Sequence, residues 1–150
     1  MDISSRAKYP AKALSNFASD TFVLDDVLCN SREGFLQSLK FKSTEMQEEV
    51  CKLIGIGAKK RGSQKKWFRT QTLYWRGVEY KRDSDEYQVL LDRAYNACYE
   101  QSETFRKALA QTVGATLTHA MGKNKKSETV LTTQEFCSRL TKLRDYGKID

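Results

Sequence analysis

The stretch Glu33-Gly34-Phe35-Leu36-Gln37-Ser38-Leu39-Lys40-Phe41 constrains this chain more than any other. Read as a helix, it places Glu33, Gln37 and Lys40 on one face at i, i+4 and i+7. Phe35, Leu36 and Leu39 fall on the opposite side. At ~1.5 Å of rise per residue, the carboxylate and the ammonium stand roughly 10 Å apart along the axis. One side of this helix must be buried, and the other carries a polar row. Such a row borders a reactive pocket, or it belongs to an ordinary surface helix. Asn30-Ser31-Arg32-Glu33 reads as a capping box, with Asn30 as N-cap and Glu33 closing it. The helix is predicted to run to about Lys42.

The flanking segments give a mostly helical α+β fold with a small β-sheet near the N-terminus. Residues 13–29 read as extended, and Phe22-Val23-Leu24 and Val27-Leu28-Cys29 flank a two-residue turn at Asp25-Asp26. A second helix is predicted from Ser43 or Thr44, with Met46, Val50, Leu53 and Ile54 on one stripe and a stop at Gly55. Residues 57–69 are the most basic segment, and 70–81 fit a strand or an irregular helix. The helical period returns over 84–101 through Tyr87, Leu90, Leu91, Ala94, Tyr95 and Cys98. A short helix carries Phe105, Ala108 and Leu109, and Gly114 to Thr118 reads as a short strand. Gly122 to Ser127 is a basic loop. Thr132-Thr133-Gln134-Glu135 is a second capping box, opening a last helix that buries Phe136, Leu140 and Leu143.

With 150 residues, the expectation is one domain over 1–150. There is no apolar run near the ~20 residues of a membrane span. Met1 to Arg6 lacks the apolar core of a signal peptide, so the expected location is the cytosol. Cys29, Cys51, Cys98 and Cys137 are isolated and His119 is the sole histidine, a pattern that speaks against zinc. Gly55-Ile56-Gly57 lacks the third glycine of a dinucleotide loop, and there is no P-loop lysine or HExxH. No cofactor and no metal are expected. The net charge of +7 favours anionic partners such as nucleic acid, nucleotides or phosphorylated metabolites.

Taken in order, the motifs resemble the NADAR, or YbiA-like, family. Leu14-Ser15-Asn16-Phe17 is similar to its Ser-Asn-Phe element, and Glu33 to Phe41 to its Glu-aromatic-Gln-Lys-Phe helix. The likeness continues through Ala58-Lys59, Trp67, Leu117-Thr118-His119, Gly122-Lys123, Glu135-Phe136-Cys137 and Leu143-Arg144, about residues 14–144. The Trp-Gly element and the second acidic group of many members have no counterpart here. The resemblance implies hydrolysis of an N-glycosidic bond between ribose and a base. One branch acts on ribosylated intermediates of riboflavin synthesis. Another removes ADP-ribose from guanine in nucleic acid and serves as an antitoxin to DarT-type ADP-ribosyltransferases. The Glu33–Phe41 form resembles the second branch.

On that resemblance, Glu33 is the catalytic carboxylate, stabilising an oxocarbenium-like transition state or activating water. Its other reading is closure of the capping box. Lys40 is either a phosphate anchor or an amine nucleophile toward an opened ribose. Asn16, Phe17, Gln37, Trp67, His119, Gly122 and Lys123 are candidates for the substrate pocket, Trp67 by stacking and Gly122-Lys123 by wrapping a phosphate. Lys59, Lys60, Arg61, Lys65, Lys66 and Arg69 are candidates for nucleic-acid contacts, or form a solvated face.

Overall fold

In the computed structural model, which describes residues 1–150, the first hairpin forms as its sequence suggests. β1 (Phe22–Leu24) and β2 (Val27–Cys29) pair antiparallel with Leu24 opposite Val27. Asp25 and Asp26 take φ of 49° and 65°, which short polar side chains tolerate and a tight hairpin turn demands. The indole N–H of Trp75 and the Arg93 guanidinium both hold the Asp25 carboxylate. The segment 70–81 resolves into a second hairpin, β3 (Thr72–Trp75) and β4 (Val78–Lys81), turning at Arg76 and Gly77. The two hairpins form separate two-stranded sheets. The remaining regular elements are helical, so the α+β class holds.

α1 (Ala11–Leu14) interrupts the segment read as extended, burying Ala11 and Leu14. α2 (Arg32–Ser38) begins one residue later than expected, because its N-cap is Ser31. The Ser31 hydroxyl accepts from the Gly34 N–H at 2.9 Å. Asn30 is drawn away, its amide donating to the Lys52 carbonyl at 2.9 Å. Glu33 therefore closes no capping box. α2 also stops early, at Ser38 rather than Lys42. Tighter bonds follow, Lys40 N–H to Gln37 O at 3.2 Å and Phe41 N–H to Ser38 O at 3.0 Å. They turn Phe41 inward, where the heads of Arg61 and Lys65 lie 6.0 and 5.3 Å from its ring centre.

α3 (Thr44–Cys51) starts on Ser43, whose hydroxyl accepts from the Met46 N–H. Of the expected stripe only Val50 is buried, alongside Gln47 and Cys51; Met46 and Leu53 are half-buried and Ile54 lies 47% exposed. Gly55 does not end this helix; it opens α4 (Gly55–Ser63). A 3-10 turn, Trp67–Arg69, then leads into the second hairpin. α5 (Asp85–Gln101), α6 (Glu103–Ala110) and α7 (Thr133–Tyr146) follow, α7 with both halves of its Thr132–Glu135 capping box made. Residues 114–118 form no strand beyond a single bridge between Asp2 and Thr118.

α5 runs through the core, contributing Tyr87, Leu90, Leu91, Ala94, Tyr95 and Cys98 to one cluster with Phe35, Leu39, Trp75, Phe105, Phe136 and Leu140. α2 lies unusually close to the end of α3: a Cβ added at Gly34 would stand 2.6 Å from the Leu53 carbonyl oxygen. Gly34 thus sets how deep the Glu33 helix can sit. No helix is long and apolar enough to cross a membrane.

Candidate functional site

The site is built outward from Arg32, the first residue of α2, which is fully buried. Its guanidinium donates to the carbonyls of Leu14 (3.2 Å) and Ser15 (3.0 Å) and to the Asp20 carboxylate (3.4 Å). It also lies 4.2 Å from the centre of the Phe105 ring. Asp20 accepts in turn from Ser102 and Thr104. A buried arginine with these partners clamps the Leu14–Phe17 segment onto the start of α2. Nothing in the residue pattern marks Arg32 out; in the sequence it stands only as an inner position of the Asn30–Glu33 capping-box segment.

Glu33 is joined to the same segment through its backbone, the N–H donating to Asn16 O at 3.0 Å. The Asn16 side-chain oxygen accepts from the Tyr95 hydroxyl at 2.8 Å. The Asn16 amide nitrogen makes no hydrogen bond within the chain, so its two donors are unengaged. The Glu33 carboxylate accepts from the Gln37 amide at 2.6 Å. The other end of Gln37 packs on Gly62 of α4, and its oxygen is buried without a partner. Burial raises the Glu33 pKa above the usual carboxylate value, opposed by the Gln37 hydrogen bond and by the charges of Lys40, Lys59 and Arg32. Burial lowers the pKa of Lys40, opposed by Glu33 and reinforced by Lys123 and Lys59. Glu33 and Lys40 thus feel each other's charge without forming an ion pair, and Lys59 and Lys123 extend the same electropositive surround.

Lys123 is brought in by a loop fastened at both ends. The Thr133 N–H donates to Lys123 O at 2.9 Å, and the Gly122 N–H to His119 O at 3.1 Å. A Cβ at Gly122 would stand 2.7 Å from His119 Cδ2 and would overlap the Thr133 hydroxyl, so this turn requires glycine. Gly122 therefore serves close packing, and only Lys123 of the pair reaches toward Lys40. His119 pairs Nδ1 with the Ile3 carbonyl at 2.7 Å and sets its ring edge-on to Phe136 at 5.2 Å. That geometry fixes the loop to the core.

Trp67 was expected to stack on a base, but it is buried in the core. Its neighbour Phe68 is the outward one, 52% exposed. Two adjacent aromatics on a tight turn cannot both point inward, and that was the signal for Phe68. Lys65, Lys66 and Arg69 are exposed around this turn, as are Lys59 and Lys60 on α4. Arg61 is half-buried, 3.6 Å from Glu49 and against Phe41, so it belongs to the packing of α3 and α4. Gln71 donates to both Phe68 O and Ser127 O at 2.9 Å, joining the basic turn to the 122–128 loop. Phe17 lines a cavity of about 310 Å³, together with Tyr9, Ala13 and Ala18. Neither Glu33 nor Lys40 lines it; Asn16, between wall residues Ser15 and Phe17, connects the two.

Glu135, within the resembling Glu-Phe-Cys segment, is fully engaged. It accepts from Arg82 at 2.6 and 3.1 Å, from Gln88 at 2.6 Å and from the Thr132 N–H at 2.8 Å. These partners outweigh burial and hold it at about 2, so it stays ionised and cannot serve as a proton donor. No group of three or more His, Cys, Asp or Glu stands together as a metal site.

This fold is shared with the Escherichia coli protein YbiA. Its NMR structure superposes with a TM-score of 0.62 over 97% of this chain and 82% of that one, at 18% identity, so the likeness is one of fold, the YbiA-like (NADAR) fold. An Enterobacteria phage T4 protein, described as an uncharacterized 17.1 kDa protein of the Gp30–rIII intergenic region, is 37% identical over 149 residues, 97% of each chain. The model of the family described as bacteriophage protein GP30.3 matches residues 8–145. With that match over most of its length, the chain belongs to the bacteriophage GP30.3 family.

Proposed function

We propose that the protein is an N-glycosidase that cleaves the bond between the ribose of ADP-ribose and guanine in nucleic acid. The observation that carries this reading is the Glu33 carboxylate. It is free of any capping role, part-buried, tied by its backbone N–H to Asn16, whose amide donors are unengaged, and in the field of Lys40, Lys59 and Lys123. A carboxylate so placed stabilises the cationic anomeric carbon as the C1′–N bond breaks and takes a proton from the attacking water. The bonding electrons go to the leaving nitrogen, which is protonated in turn. The three lysines suit the diphosphate of ADP-ribose. Asn16 suits a ribose hydroxyl, and Gln37 orients Glu33. The exposed cations around Phe68 suit the flanking strand. On this reading the chain reverses the product of a DarT-type ADP-ribosyltransferase.

A second role for Lys40 is favoured by one observation: its head group has no carboxylate partner and burial lowers its proton affinity. A neutral amine there would attack C1′ of the ring-opened ribose; the C1′–N bond to guanine then breaks, a proton passing to the leaving nitrogen, and water hydrolyses the Schiff base left on Lys40. Borohydride trapping during turnover would capture that adduct.

The test is incubation with an oligonucleotide bearing ADP-ribosylguanine, with thymine-linked ADP-ribose and a ribosylaminopyrimidine alongside. Release of ADP-ribose from the first alone, lost in Glu33→Gln, is the expected result. Release of ribose from the pyrimidine alone moves the substrate to a nucleotide metabolite. Tight ADP-ribose binding with no release from any substrate makes the protein a binder.

A further inference from the structure

The 310 Å³ cavity beside Asn16 has no part in the chemistry described so far. Its walls are small and apolar at Ala13 and Ala18 and aromatic at Tyr9 and Phe17, with one cation, Lys12, among them. The volume lies at the low end for small-molecule sites. Tyr9 is 63% exposed, although a large apolar ring has little reason to stand in water at a cavity wall unless something covers it.

The cavity belongs to the same construction as Glu33. Its Ser15–Phe17 wall is the segment clamped by Arg32, and the Phe17 N–H donates to Ser15 Oγ at 3.2 Å. Phe17 approaches α4 at Gly55, 3.8 Å from where a Cβ would stand, and α4 carries Lys59. On its other side the wall residue Ser5 follows Ser4, whose hydroxyl lies 3.9 Å from the Met121 sulfur. Met121 belongs to the loop that presents Lys123. Wall residue Phe17 thus meets α4, wall residue Ser5 adjoins the residue that meets the Met121 loop, and Ser15 and Phe17 flank Asn16.

We infer that this cavity is a purine-nucleotide subsite, the ring lying between Tyr9 and Phe17 and a phosphate facing Lys12. Aromatic faces bind the ring by stacking, and the alanines leave room for its flat edges. The inference rests on the proposed reaction only for its substrate, which carries two purines: the adenine of ADP-ribose and the guanine that leaves. Both present the same chemistry to the cavity.

The experiment is calorimetric titration of the full chain with AMP, GMP and ribose 5-phosphate, repeated on Tyr9→Ala and on Ala18→Leu. Tyr9 is exposed, so its replacement leaves the fold intact, and the leucine fills the cavity by a separate route. AMP or GMP is expected to bind the native chain, to bind both variants at least tenfold more weakly, and to outdo ribose 5-phosphate. Preference for AMP assigns the cavity to adenine, and preference for GMP to the leaving base. Equal binding of nucleotides to native and variant chains, or no nucleotide binding at millimolar concentration, overturns the subsite. Cleavage assays on the native chain separate this result from the reaction. If Tyr9-dependent binding persists while no glycosidic substrate is cleaved, the subsite stands and the reaction falls. If cleavage proceeds with an unchanged KM in Tyr9→Ala, the reaction stands and the subsite falls.

Discussion

The Asn16 carbonyl accepts the Glu33 N–H at 3.0 Å, and this single backbone bond ties the Ser-Asn-Phe segment to the head of the Glu-Gly-Phe helix. Because the bond uses no side chain, the Asn16 amide remains available to a ligand. Asn16→Ala keeps the tether and removes the donors. It is expected to lower kcat/KM about 10- to 100-fold. Leaving the Tyr95 hydroxyl without its acceptor costs ~1–3 kcal/mol. Steady-state kinetics with a thermal melt would separate the two effects; undiminished kcat/KM in a folded variant would remove Asn16 from the site.

Glu33 and Lys40 make opposite demands on pH. The folded pKa of Glu33 is raised, so stability is lost as pH climbs from the unfolded carboxylate value through the folded one. That of Lys40 is lowered, so stability is gained only as pH climbs from its folded value toward 10.5. Burial opposes the charged form of each. Glu33→Gln is therefore expected to melt higher than the native chain at pH 7 while losing ~10²–10⁴ in kcat. The acid limb of the native kcat/KM profile should lie above 4.5 and vanish in the variant. A limb at the ordinary carboxylate value would show that another group controls it.

How much of this was legible varied with the physics of each segment. Asp25-Asp26 and Thr132–Glu135 were readable because their signals are local: two residues that tolerate positive φ, and a reciprocal cap. The second hairpin was not, because its turn places Arg76 at φ 51°, where the sequence offers only Gly77 as a cue. α4 was hidden for a different reason. Gly55-Ile56-Gly57 has the composition of a loop, yet the glycine at Gly62 lets the helix press against Gln37 of α2, and tertiary contact overrides propensity. The Glu33–Lys40 pair was chosen from a helical register that ends at Ser38. The turn that follows keeps Lys40 within the field of the carboxylate, without contact.

Arg82 and Glu135 form a buried pair that joins the end of β4 to α7. Removing one partner strands the other, so Arg82→Met is expected to cost about 3–5 kcal/mol in denaturant unfolding. Glu135 is held at about 2, so its contribution is complete above the unfolded value of 4.5 and disappears as pH falls through about 2. A native acid transition unaltered in Glu135→Gln would contradict this.

Phe68 stands in water on a turn bearing Lys65, Lys66 and Arg69. Phe68→Ala is expected to weaken binding of a single-stranded oligonucleotide by ~1–3 kcal/mol with an unchanged salt slope. Lys66→Ala should instead flatten that slope by about 0.7. Fluorescence anisotropy across a salt series distinguishes the two, and equal effects of both variants on the slope would deny Phe68 a stacking role.

Gly34→Ala tests the depth of α2. The added methyl meets the Leu53 carbonyl at 2.6 Å, too close to be absorbed by a side-chain rotation. A loss of about 1–3 kcal/mol is expected, with Glu33 displaced outward and its raised pKa relaxing toward the ordinary value. Stability unchanged from the native chain would mean that α2 and α3 can part freely.

The Ile3 carbonyl on His119 Nδ1, 116 positions away, makes assembly of the site a long-range event. Hairpins and helices can form from neighbours within microseconds. The loop that presents Lys123 keeps its local bond to Thr133, but its bond to Ile3 forms only when the first residues and the 117–123 segment have met. During synthesis, the Glu33 helix can be in place well before its lysine surround is complete. An opening fluctuation that releases Ile3 would likewise switch off the electrostatics of the site while the core persists. Amide exchange should then find residues 117–123 far less protected than α5, although both belong to the same folded molecule.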